Sequence, residues 1–218
     1  MRDSCVRVNP TKDIALHRLN NQCQRFLSQE EAVRLFEAVR QSNNPVLSSI
    51  EAMLLLTGAR KREEIDARWS CIDWERRIWR IAISKSGKSR YVQLSDGALL
   101  LLRLRRFEVG DQCPSIFPNP KSCAPYKCIN NSWDTARRRA GMPELRLHDL
   151  RHSFASFWIS SGRSLYEVQK NLGHSSAKMT EPYAHLAHDT LLPASNAVTL
   201  ALGPCIDTTL VASASNSD

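Results

Sequence analysis

Long apolar runs are missing from this 218-residue chain. No stretch of 18 or more apolar residues occurs, so no transmembrane helix is expected. The opening residues, MRDSCVRVNPTKD, lack the apolar centre of a secretion signal. Both absences point to the cytoplasm. The seven cysteines are odd in number and irregularly spaced, and no Cys-x-x-Cys pair occurs. That argues against a zinc site or a disulfide framework and for free thiols in a reducing compartment. Internal repeats are absent too. The polar tail from Thr208 to Asp218 is the longest biased tract and is expected to be disordered.

What is present fits one domain of ordinary size. Hydrophobic residues make up 42% of the chain, enough for a buried core. Thirty Lys and Arg stand against 22 Asp and Glu, for a net charge of +8. Such a balance favours an anionic partner, with nucleic acid the first expectation.

Residues 1–25 have no clear periodicity and carry Asn9-Pro10, so they read as a linker or arm. Ser28-Gln29-Glu30-Glu31 has the form of a capping box. It opens a helix with Val33, Leu35, Phe36 and Val39 on its apolar stripe, ending near Pro45. A second helix, about Val46 to Thr57, is apolar on most faces and is expected at the centre of the domain. Gly58 stops it and puts Arg60 on the following turn. Residues 69–93 change to strand chemistry, with turns at Glu75-Arg76-Arg77 and Ser86-Gly87. They predict a small three-stranded antiparallel sheet. Asp96–Val109 reads as a helix with Leu99, Leu100, Leu102 and Leu104 inside and Arg103, Arg105 and Arg106 outside. A Pro- and Ser-rich loop follows, then a helix from Ile129 to Ala140. His148–Ser160 is expected to bury Leu150, Phe154, Phe157 and Trp158. Ser164, with Glu167, caps another helix that ends at Leu172. A short helix then leads to Tyr183, although Pro182 turns Glu181 away from helical geometry. A last weak helix is expected over 188–203. The fold class is mixed α/β, mostly helical, with one small sheet.

The chemistry concentrates between Leu145 and Leu186. His148 and Arg151 lie three apart, on one helical face. A Leu-Gly-His turn presents His174, and Tyr183 follows nine residues later. No metal-ligand spacing accounts for this set. A phosphate does, because guanidinium forks and imidazole N–H groups suit its oxygens and a phenol can attack its phosphorus. His148 and His152 are four apart, as in a zinc pair. However, no glutamate follows the first histidine, and Arg151 between them would oppose a cation. His152 is therefore read as a packed or hydrogen-bonded helix residue and His185 as local support. Neither metal nor cofactor is expected.

HDLRH, LGHSS and Tyr183-Ala184-His185, preceded by Thr57-Gly58-Ala59-Arg60 and Glu63, resemble the catalytic domain of the tyrosine recombinases, the phage integrase family. The resemblance covers about residues 25 to 190 and implies the DNA breaking–rejoining fold. It implies that Arg60 and Arg151 bind phosphate, with Glu63 holding an arginine in place. His174 would donate a further hydrogen bond and His148 would act as general base. Tyr183 would be the nucleophile that forms a 3′-phosphotyrosine. The basic hairpin from Lys85 to Arg90 resembles the one whose lysine protonates the leaving oxygen, which Lys85 would do. Lys88, Arg90, Arg137, Arg138 and Arg139 are candidate contacts to the DNA backbone. The implied partner is double-stranded DNA, bound by a tetramer whose protomers are free to be monomeric in solution, in the nucleoid of the cytoplasm. In this frame residues 1–25 end a missing N-terminal core-binding domain, 26–190 form the catalytic domain, and 191–218 form a C-terminal helix and disordered tail. Two alternatives share these residues: a DNA-binding remnant that no longer recombines, and a type IB topoisomerase-like enzyme that nicks and relaxes.

Overall fold

Residues 25–81, 89–111 and 113–187 are described by the structure, a computed structural model. Helix α1 (Gln29–Arg40) starts because Ser28 and Glu31 satisfy each other. The Ser28 hydroxyl accepts from the Glu31 amide, and the Glu31 carboxylate accepts from the Ser28 amide, both at 3.1 Å. Helix α2 (Leu47–Thr57) buries Leu47, Ile50, Met53 and Leu54. It packs on α1, on the short α3 (Lys61–Ile65), on α4 (Asp96–Val109) and on α6 (Leu147–Ser160). The expected central helix is therefore central.

A 3₁₀ turn over Trp69–Cys71 leads into β1 (Ile72–Asp73), followed by β2 (Ile78–Ile81) and β3 (Arg90–Gln93). They form one antiparallel sheet in the order β1-β2-β3. The register sets Trp79 opposite Val92, both buried, and Ile81 opposite Arg90. That pairing carries Arg90 from the hairpin toward the helices. Helix α5 (Asn130–Arg139) packs on α1. Helix α7 (Leu165–Leu172) begins with the expected Ser164–Glu167 capping box and ends at Gly173 in the left-handed conformation. The chain then runs through 3₁₀ turns at Ala177–Met179 and Glu181–Ala187.

Several expectations are corrected. In α4 the buried face carries Ala98, Leu99, Leu102 and Arg105, while Leu100 and Leu104 are exposed. Six positions span more than one and a half turns at about 3.6 residues per turn, so four leucines in that run cannot share one face. Arg105 lies along the apolar face and pairs with Glu108. In α6 Phe157 is exposed, and the buried positions are Leu150, Ala155 and Ile159 together with Asp149, Arg151 and Ser153. The segment before Tyr183 is 3₁₀ rather than α-helical. Cys113 and Cys123, read as free thiols, are joined in a disulfide with Cα atoms 5.6 Å apart. Their loop folds back on itself through Asn119, whose amide donates to Ala124 and whose carbonyl accepts from Cys123. The helix expected over 188–203, the polar tail and the N-terminal arm up to residue 24 lie outside the described residues.

Gly58 is where the fold leaves no room. It ends α2 with φ of 63°. A Cβ there would lie 2.4 Å from Phe154 Cδ1 and 2.6 Å from Leu172 Cδ2. Gly58→Ala is expected to cost about 2–4 kcal/mol, the left-handed penalty and the overpacking together. Chemical denaturation of the two proteins measures it, and equal midpoints would contradict this reading of the junction.

Candidate active site

The site forms where the ends of α2 and α7 meet the first half of α6. Arg151, on α6, is nearly buried, and its two terminal nitrogens reach across this junction. One donates to the Gly58 carbonyl at 2.5 Å and the other to the Leu172 carbonyl at 2.7 Å. Both acceptors are orphan carbonyls at helix C-termini, which a buried cation satisfies well. The Asn171 side chain adds a third tie, donating to the Thr57 carbonyl at 3.2 Å. Burial, followed by the like charges of Arg90 and Arg60, pushes the Arg151 pKa down to about 9. The guanidinium still carries its charge at neutral pH.

Arg60 stands at the start of α3, and its guanidinium meets the Glu63 carboxylate at 2.7 Å. The other Glu63 oxygen pairs with Arg90, also at 2.7 Å. Burial alone would raise the Glu63 pKa, but Arg90 and Arg60 outweigh it and hold the carboxyl below its usual value. Glu63 is thus a clasp between a helix start and the sheet. Arg90, a candidate contact to the DNA backbone, is only 10% exposed at its side chain, and it also donates to the Asn171 carbonyl. Its position is fixed by pairing across β2, which spacing along the chain does not reveal.

His174 follows Gly173, and its Nδ1 is 2.9 Å from the Thr180 hydroxyl. Thr180 is buried and escaped notice in the sequence. Burial first, then Arg151 and Arg60, lowers the His174 pKa to about 4. The imidazole is neutral at physiological pH. With Nδ1 engaged by Thr180, Nε2 is the nitrogen open to a ligand. His148 is exposed and lines a cleft of about 870 Å³ together with Arg60, Lys61, Asn131, Arg137 and Arg146. Its pKa is lowered by desolvation and by Arg151.

Tyr183 is 1% exposed and belongs to a small core of its own with Ala155, Ile159, Val168 and Leu172. Phe26 packs beside it, with ring centroids 6.0 Å apart. Burial pushes the phenol pKa up to about 12, against the opposing pull of Arg151. Its hydroxyl hydrogen-bonds Nδ1 of His152. Of the two expectations for His152, packed or hydrogen-bonded, the second holds. Its ring also meets His148 edge-on at 4.9 Å between centroids.

The structure thus brings Arg60, Arg151, His174 and Tyr183 around one junction, with His148 on the adjoining cleft. Lys85 and Lys88 lie outside the described residues. The three arginines ending α5 make internal bonds. Arg137 pairs with Asp134 and donates to the carbonyls of Pro143 and Leu145. Arg138, which is exposed, pairs with Asp134 at 3.0 Å. Arg139 donates to the carbonyls of Ala38 and Gln41, tying α5 to α1. His185 is exposed, 6.3 Å from Phe26 between ring centroids. Among the described residues no three His, Cys, Asp or Glu side chains stand close enough to hold a metal ion.

Comparison with known proteins identifies this architecture. Residues 25–189 match the model of the Phage integrase family, and the chain belongs to that family, the tyrosine recombinases. The integrase of Salmonella phage P22 is 31% identical over 181 residues, covering 77% of this chain and 45% of that protein. The putative integrase of Pseudomonas phage Pf1 is 34% identical over 172 residues, covering 78% and 47%. The solved catalytic domain of bacteriophage HP1 integrase matches with a TM-score of 0.64 at 29% identity, covering 81% of this chain and 96% of that one. The chain spans about half the length of the two phage relatives.

Proposed function

We propose that this chain is the catalytic domain of a site-specific DNA recombinase or integrase. Tyr183 attacks a phosphodiester and forms a 3′-phosphotyrosine with release of a 5′-hydroxyl. Attack by a 5′-hydroxyl of another strand reverses the step, so the energy of the bond is retained. The observation that carries this reading is the convergence at one junction of two fixed guanidinium groups, Arg60 and Arg151, a neutral His174 and the phenol of Tyr183. Charge that builds on the nonbridging oxygens meets donors already held in position, which is where the largest rate effects arise. His148, on the adjoining cleft beside Arg60, would add a contact to the same phosphate. Lys85 is the proposed donor of a proton to the leaving 5′-oxygen. The partner is double-stranded DNA, joined by four protomers on two duplexes, in the cytoplasm where that DNA lies. The family assignment supports strand breakage and rejoining in general.

A nicked duplex tests the reading. When cleavage sets free the short piece downstream of the cut, resealing fails and the covalent complex accumulates. Duplexes from sequence flanking the gene, incubated with chelator, are expected to give a denaturation-resistant protein–DNA adduct. Tyr183→Phe is expected to give none. An adduct that survives in Tyr183→Phe would remove Tyr183 from the role.

A further inference from the structure

His148 was the sequence's candidate for the base that receives the tyrosine proton. The geometry offers that proton to a different ring. His148 and His152 stand one turn apart on α6, and their environments differ. His148 is exposed on the basic cleft. His152 lies between His148 and Tyr183, with ring centroids 4.9 Å from the first and 5.8 Å from the second. It is His152 that bonds the phenolic oxygen, through Nδ1. A base must reach the proton it takes, so contact ranks before acidity.

We propose that His152, rather than His148, accepts the hydroxyl proton of Tyr183 during strand cleavage and returns it during rejoining. This rests on the recombinase reading of the site. The O–H bond of Tyr183 breaks and its proton passes to Nδ1 of His152. The phenolic oxygen bonds to phosphorus, and the bond from phosphorus to the 5′-oxygen breaks. That oxygen takes a proton from an ammonium group, for which Lys85 is the proposed donor. In rejoining, the 5′-hydroxyl gives its proton back to the amine, and the imidazolium protonates the departing phenolate. Protons and charge balance in both directions.

The environment of His152 suits a late transfer. Burial, then His148, with Arg146 and Arg151 adding to them against Asp149, lowers its pKa to about 4. The ring is therefore neutral at rest, and Nδ1 has its lone pair available in the tautomer protonated on Nε2. The phenol, raised to about 12, stays protonated until attack begins. So weak a base cannot strip a resting phenol. It receives the proton only as the oxygen gives electrons to phosphorus. This keeps a buried phenolate from forming before DNA is bound. His148, facing the cleft beside Arg60, is left for the phosphate oxygens.

The test is single-turnover cleavage by the whole chain. His152→Asn keeps a side-chain acceptor near the phenol but cannot carry the proton. It is expected to slow adduct formation by roughly a hundredfold, with half-saturating DNA concentration unchanged. Replacing Tyr183 by a difluorotyrosine, a more acidic phenol, is expected to recover roughly tenfold or more of that loss while changing the His152 protein little. A substrate with sulfur in place of the 5′-bridging oxygen, whose leaving group needs no proton, is expected not to rescue His152→Asn. If the asparagine variant melts early, His152→Gln is compared in its place. A variant that cleaves within about threefold of the parent overturns the proposal. So does rescue by the sulfur substrate, or failure of difluorotyrosine to rescue. If the unmodified protein binds the duplex yet forms no adduct, the recombinase reading has failed and this proposal fails with it.

Discussion

Arg151→Lys is expected to slow covalent adduct formation by about a hundredfold or more, on the scale of losing one fixed donor to the developing charge. Arg151 keeps its charge at neutral pH although burial and its neighbouring cations lower its pKa to about 9, whereas a lysine in the same place starts lower and gives up its proton more readily. Geometry changes as well. Arg151 bonds one carbonyl with each terminal nitrogen, Gly58 on α2 and Leu172 on α7. Each of those nitrogens carries a second N–H, and Nε carries one more, so the planar fork can hold the junction and still address an anion. A lysine has one ammonium on a flexible stem. It cannot reach both carbonyls and a phosphate together. One buried carbonyl is left unpaired, at about 1–3 kcal/mol. The variant is therefore expected to melt earlier as well as cleave slowly. Single-turnover rates beside a thermal melt separate the two effects. Cleavage at the parent rate would show that Arg151 is only a strut.

The same residue shows what the sequence could and could not reveal. Arg60 and His174 lie where a helix starts or ends, while Arg151 lies within α6 and Tyr183 within the last 3₁₀ segment; all four were candidates because the short motifs around them resemble those of the family. Ser28-x-x-Glu31 and Ser164-x-x-Glu167 were legible because a capping box is a contact over three residues. The central position of α2 followed from a helix apolar on most faces. Pairings over long separations were not visible. His152 meets Tyr183 across 31 residues, Arg90 meets Glu63 across 27, and Asn171 meets Thr57 across 114. Nothing local marks these pairs, because the residues concerned are ordinary in their own segments. Thr180 beside His174 is only six residues away, but a threonine is common on any turn. The leucines of α4 misled because a run of one residue type hides the period that would orient it. The Cys113–Cys123 bridge depended on a loop whose closure through Asn119 no spacing rule predicts.

Glu51→Gln is expected to become progressively more stable than the wild type as pH rises from about 5 to 9. Glu51 sits on α2 at the centre of the domain with no exposed surface. Neither of its carboxylate oxygens has a hydrogen-bond partner among the described residues. Burial raises its pKa from 4.5 to about 8. The folded protein therefore holds a proton that the unfolded chain releases above its own, ordinary pKa. Raising pH through that window favours the unfolded state, and the loss is complete only above the folded value. At about 1.4 kcal/mol per unit of pKa difference, the window is worth about 3–5 kcal/mol by pH 9. Glutamine keeps the shape and stays neutral. Below pH 5 the two proteins should agree within about 1 kcal/mol, because both then bury an uncharged polar group. Above pH 8 the variant should be the more stable. Glu64, also fully buried, without a hydrogen-bond partner among the described residues and raised well above its usual value, leaves a residual slope that Glu64→Gln should lower further. Urea denaturation at pH 5, 7 and 9 reads the difference. Parallel pH dependences for wild type and Glu51→Gln would mean that the carboxyl finds a partner or water when it ionises, and that the centre of α2 is not the dry interior its burial describes.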